Sequence, residues 1–187
     1  MLALKTLLLA SLAYASPTAI RSASSAAADT LIQDVTNIHN GVLANQAFTA
    51  AYTGGNPATS LIQGTPVLAT VADIHIVNRK GYVDANLSPQ LDESDTQSLF
   101  DHVRDTVGVS IPSDIQTVIG KKAAFENSGM GPLVLAGLKL LINDHDTFSA
   151  AVEAKSYQGD ATLTAEGVEV VKEIHDAIQS GIDAYST

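Results

Sequence analysis

Apolar residues recur at steps of three and four along almost the whole chain, and this period restricts it to an all-helical fold. Leu31, Val35, Ile38 and Val42 open the pattern, which runs on toward Tyr52. Side chains at this spacing share one face of a helix. Gly54-Gly55 stops the first helix, and Asn56-Pro57 supplies a cap and first-turn pair for the second. Val67, Val71 and Ile74 carry that second helix past Val77, with Pro66 expected to kink or restart it. Ser94 and Gln97 have the spacing of a capping box ahead of Leu99, Phe100 and Val103, a third helix ending near Gly108. Ser110 and Pro112 open a fourth through Ile115, Val118, Ile119 and Phe125. A fifth runs from Pro132 through Leu138, Leu141, Phe148 and Val152, and a sixth uses Val168, Val171, Ile174, Ile178 and Ile182.

No stretch alternates with the two-residue period of a half-buried strand. The expected fold is therefore all-α, an antiparallel bundle of five to six helices. Leu133 to Ile142 is apolar nearly all round, with Lys139 its one charge, and is expected at the centre of the bundle. The last helix is expected on the surface, because Glu166, Glu169, Glu173 and Asp176 lie outside its apolar stripe.

Composition narrows the function classes. The chain has no cysteine, which removes disulfides, thiolate metal sites and cysteine nucleophiles together. Its formal net charge of −10 argues against a phosphate-reading surface, and 45% hydrophobic residues suffice for a proper core. Lys5, an apolar run from Leu7 to Ala13, and Ala13-Tyr14-Ala15 read as a secretory signal peptide over residues 1–15. The apolar run is shorter than the roughly 20 residues of a membrane span. The product is expected outside the cell, free or in the cell wall. Residues 16–29, rich in Ser and Ala, read as a mobile lead-in to a single domain over 30–187. Ile182 to Thr187 does not read as a lipid-anchor signal. Asn86-Leu87-Ser88 makes Asn86 a candidate glycosylation site, with Pro89 behind it lowering its use.

Catalytic patterns are missing from the sequence. Asn127-Ser128-Gly129-Met130-Gly131 lacks the leading glycine and the strand of a nucleophile elbow. Gly120-Lys121-Lys122 has Ile115 where a phosphate loop needs its first glycine. Glu166, Glu169 and Glu173 read as a solvated helix face, and the neighbours in Asp144-His145-Asp146 point about 100° apart, too far to share an ion. A non-enzymatic protein without metal or cofactor is the expectation. His145 falls on the apolar stripe of Leu138, Leu141, Phe148 and Val152, either as a hydrogen-bonded histidine at the core edge or as a head-group contact for a ligand.

Tyr52-Thr53-Gly54-Gly55, Gly120-Lys121-Lys122-Ala123-Ala124-Phe125, the Leu138/Leu141 helix and Ile182-Asp183-Ala184-Tyr185 together carry a resemblance. In this order, behind a signal peptide and without cysteine, the chain resembles the fungal hydrophobic surface-binding proteins, a family that includes antigenic cell-wall galactomannoproteins. The resemblance implies adsorption to hydrophobic solids, recruitment there of a polyester- or cutin-degrading esterase, and, as in the galactomannoproteins, a fatty acid enclosed between helices. The Lys121-Lys122 pair and Phe125 match the family pattern, which reads equally as a helix-packing device with Phe125 in the core and the lysines in water. The chain lacks the Ser/Thr stalk and anchoring tail of longer wall-bound relatives.

Energetics does not separate the two implied activities. A tail of roughly 14 methylenes at about 0.8 kcal/mol each offers about 11 kcal/mol gross, and about 400 Å² of patch at about 25 cal/mol per Å² offers about 10. If a lipid is enclosed, the large side chains on the apolar faces are its expected lining: Val71, Ile74, Phe100, Val103 and Ile115, then Val118, Phe125, Leu138, Leu141 and Phe148. Ala69, Ala72, Ala136, Gly137 and Ala151 are the small residues expected to leave room.

Overall fold

The computed structural model describes residues 23–186, so the expected signal peptide over residues 1–15 and residues 16–22 of the expected lead-in lie outside the described residues. Among the described residues seven helices follow one another: α1 (Ala23–Ala51), α2 (Pro57–Leu87), α3 (Glu93–Asp105), α4 (Val107–Gly120), α5 (Lys122–Asn127), α6 (Gly131–Glu153) and α7 (Ala161–Tyr185). Residues 23–29, expected in the lead-in, already belong to α1, and Ala28 is buried in the core. The expected fourth helix is two pieces, because the chain leaves helical geometry at Lys121.

The helix ends follow from local chemistry. Gly54 and Gly55 take positive φ values of 72° and 129°, and Asn56 then accepts the Thr59 amide hydrogen bond at 3.0 Å with Pro57 in the first turn. Pro66 neither ends nor restarts α2. The α3 cap is Asp92, whose carboxylate takes the Asp95 amide at 2.9 Å and the Ser94 hydroxyl at 2.9 Å. Ser94 therefore supports the cap rather than forming the box expected with Gln97.

Cross-contacts set the directions. α1 and α2 are antiparallel, with Asp34 meeting Lys80 at 2.7 Å and Asn45 meeting Thr70 at 2.8 Å. α6 and α7 are antiparallel as well, with His145 beside Val171 and Leu138 beside Gly181. The other neighbours are parallel. α2 runs with α6 (His75–Asp144, Arg79–Thr147), α1 with α3 and α4 (Thr36–His102, Gln46–Thr117), and α4 with α7.

The helix pairs close a ring: α1 packs on α2, α2 on α6, α6 on α7, α7 on α4 and α4 on α1, with α3 against α1, α4 and α7. α6 is thus a wall of the ring and not its centre, and Leu133 and Leu140 face solvent. A five-membered ring with axes about 9 Å apart puts its midpoint about 8 Å from each axis, whereas a helix with side chains reaches only about 5–6 Å. Such a ring is hollow unless something fills it.

Candidate functional site

A cavity of 430 Å³ lies inside the ring, within the range of roughly 300–1,000 Å³ typical of small-ligand sites. Its lining runs along α7 from Thr164 to Ile178, about 21 Å at 1.5 Å per residue. Val35, Ile38 and Val42 of α1, Leu99 of α3, Val107 and Ile111 of α4, and Val170, Ile174 and Ile178 of α7 form much of an apolar body. The outer end is polar, with Ser156, Tyr157, Gln158 and Thr164, and along the α6–α7 seam the exposed Glu153, Val168 and Lys172 bring the cavity to solvent. There Lys172 pairs with Asp176, and His175 Nδ1 lies 2.8 Å from Asp146.

The open interior depends on close approach at two glycines. A Cβ on Gly167 would stand 2.4 Å from the Phe100 ring, and one on Gly81 would stand 2.8 Å from Phe148. Each ring reaches a neighbouring helix where no side chain stands in its way. Of the small residues expected to make room, Ala69, Ala72 and Ala136 face outward, Ala151 is buried outside the cavity lining, and Gly137 borders only a small neighbouring void. Hollowness comes from the ring and from these two glycines.

Seven of the ten expected lining residues, Ile74, Phe100, Val103, Ile115, Leu138, Leu141 and Phe148, meet at the cavity. Val71, Val118 and Phe125 do not; they border an adjoining void of 40 Å³ that shares Asp114, Ile115, Leu138 and Leu141 with the cavity lining. Phe125 instead stacks on Tyr52, ring centroids 4.1 Å apart. Around this stack the family-like motifs form one clamp. Lys121 Nζ donates to the Tyr52 carbonyl at 3.0 Å, Lys122 Nζ to the Ala184 carbonyl at 2.5 Å, and the Tyr52 and Ser128 hydroxyls are 2.5 Å apart. The two lysines therefore tie off the carboxyl ends of α1 and α7, where orphan carbonyls need donors. They are not simply in water.

His145 lines the cavity with both ring nitrogens engaged: Nε2–H donates to the Val171 carbonyl at 3.1 Å, and Nδ1 accepts from Ser149 at 3.4 Å. Burial pushes its imidazole below the ordinary value, which keeps it neutral. In this tautomer the ring has no donor left for a carboxylate, so the geometry fits the core-edge histidine. Asn86 is exposed in the last turn of α2, its amide donating to the Tyr82 carbonyl at 2.7 Å, and it does not line the cavity.

Sequence reasoning missed Asp114. It lines the cavity at 7% exposure, its Oδ1 has no hydrogen-bond partner, and desolvation raises its carboxyl to about 7. The available signal was an aspartate within the α4 stripe of Val107, Ile111, Ile115 and Val118.

A ring of helices around a long apolar cavity with a polar outer end is the construction of a helical binding protein for elongated apolar ligands. The profile of hydrophobic surface binding protein A matches residues 28–154, and the chain belongs to that family. No curated protein sequence matches it. Among solved structures, the fold is similar to AFMP4P in complex with palmitic acid, at 21% identity and a TM-score of 0.77 over 84% of this chain and 99% of that one. It is also similar to ligand binding domain 1 of the Penicillium marneffei MP1 protein complexed with arachidonic acids, at 24% identity and a TM-score of 0.74 over 83% and 95% of the two chains. Domain 2 of the same protein, complexed with multiple arachidonic acids, matches at 22% and 0.66 over 89% and 97%. At such identities the likeness establishes the fold.

Proposed function

We propose that this protein is a secreted, non-enzymatic lipid carrier that holds a long-chain fatty acid, or a lipid of similar shape, in the cavity between its helices. The observation that carries the reading is the 430 Å³ cavity, apolar through its body and polar at its outer end. Palmitic and arachidonic acids in similarly folded proteins support it. The tail sets affinity at about 0.8 kcal/mol per buried methylene before ordering costs, and a polar contact at the outer end sets orientation for about 1 kcal/mol. Tyr157 and Gln158 line that end, and Lys172 lines the adjoining seam. The test is organic extraction of purified protein with mass spectrometry, then melting of the extracted protein with palmitic acid. At a hundredfold excess over Kd the gain is about 2.7 kcal/mol. A clean extract with no rise in melting temperature refutes the reading.

A second activity, adsorption to apolar solids, is favoured by the outer face of α2. Ile62, Ile76 and Val83 lie at multiples of a seven-residue step and are 75%, 63% and 50% exposed, and Leu87 beyond them is 79% exposed. Spacing of this kind keeps them on one helix face, away from the buried stripe of Val67, Ile74 and Gly81. The docking of an esterase or cutinase, implied by the family resemblance, is proposed for protein adsorbed through this face. It is tested by loading polyester beads with and without the enzyme; no binding to bare beads at any salt removes both ideas.

A further inference from the structure

The cavity carries one polar group at the end opposite its polar opening. Asp114 lies on α4 at the inner end, where the cavity adjoins the 40 Å³ void that Asp114 also lines, next in sequence to Ile115, which sits against Gly181. It is 7% exposed, and its Oδ1 has no partner. The polar side chains nearby are already used: Asn45 Nδ2 donates to the Val67 carbonyl and to Thr70, Thr49 donates to Asn45 Oδ1, and Asn78 Nδ2 donates to the Ile74 carbonyl. The other buried carboxylate with an open oxygen among the described residues, Asp34, differs in being held by Lys80 at 2.7 Å. Leaving a polar group unpaired in an apolar pocket costs stability, whereas a ligand that pairs it recovers that cost on binding.

We propose that Asp114 is a specificity-determining contact that takes the chain-end hydroxyl of an ω-hydroxylated fatty acid whose carboxylate lies at the outer end. The proposal rests on the lipid-binding reading above and names its ligand more closely. A simple fatty acid satisfies only the outer end. One with polar groups at both ends, separated by an apolar chain, matches a lining of about 21 Å that is polar at both ends. Burial raises the Asp114 carboxyl to about 7, so in acidic surroundings it holds a proton and both gives and accepts a hydrogen bond, as a hydroxyl does. A second carboxylate or an ammonium at the same place would have to shed its water to enter an apolar end, which makes the neutral hydroxyl the better fit.

The experiment is calorimetric titration of lipid-extracted protein with palmitic acid and with ω-hydroxypalmitic acid, for the unmodified chain, Asp114→Asn and Asp114→Leu. The unmodified chain should prefer the hydroxy acid about tenfold, equivalent to about 1.4 kcal/mol. Asp114→Asn, which still hydrogen-bonds, should keep most of that preference. Asp114→Leu should bind palmitic acid at least as well and the hydroxy acid worse. Palmitic acid bound without any preference for the hydroxy acid, or a preference that survives Asp114→Leu, overturns the role of Asp114 and leaves the lipid site standing. Binding of neither acid overturns the lipid site itself.

Discussion

Replacing Asp114 with asparagine should stabilise the lipid-free protein by an amount that depends on pH. The carboxyl moves from an ordinary value of 3.8 to about 7 through desolvation alone. At about 1.36 kcal/mol per unit, a shift of about three units is a loss of about 4 kcal/mol. Between these values the unfolded chain has released the proton that the folded chain retains, so stability falls as pH rises from 3.8 toward 7 and is level above that. Asparagine is buried as an equally unpartnered polar group but cannot ionise. The two proteins should therefore match near the acid end of the range and separate by about 4 kcal/mol at pH 8, roughly 8–16 °C in melting temperature for a domain of this size. His145 acts in the opposite direction, since a depressed histidine costs stability as pH falls below its ordinary value of 6.5. It does so equally in both proteins and cancels in the difference. Chemical denaturation at a series of pH values measures that difference directly. A constant offset from pH 4 to 8 would show that water solvates the carboxyl through the cavity, and the reasoning would fail.

Phe125→Ala should cost about 3–5 kcal/mol in denaturant unfolding, because the ring is fully buried and stacked on Tyr52. Tyr52→Phe keeps the stack and removes only the bond to Ser128, a loss of about 1 kcal/mol in the same assay. Gly167→Ala places a methyl 2.4 Å from the Phe100 ring, which must swing into the cavity; palmitic acid titration should show at least tenfold weaker binding. The pair Ile62→Glu and Ile76→Glu changes exposed positions and should leave melting nearly unaltered while lowering adsorption to polyester beads.

The chain's own periodicity determined the helices. Three- and four-residue apolar steps, Asn56-Pro57 before α2 and the glycines after α1 are local features, and local propensity and capping act on them without help from the rest of the molecule. The periodicity also put seven large residues on the faces that meet at the cavity, because a face turned inward is the same face whether the interior is filled or hollow. Hollowness itself was not legible. It depends on five helices closing a ring with none of the described helices along the axis, and this placed α6, whose Leu133–Ile142 stretch is apolar nearly all round, in the wall. Likewise the sequence shows Lys121, Lys122 and Phe125 together, but only the tertiary structure brings Tyr52 and Ala184 to them and makes the motif a clamp. Asp114 shows the division most clearly. Its place in an apolar stripe is written in the chain, whereas its missing partner and raised carboxyl arise from what α1, α2 and α7 fail to offer it across the cavity. Desolvation is a property of the surroundings, and those exist only once the ring has closed.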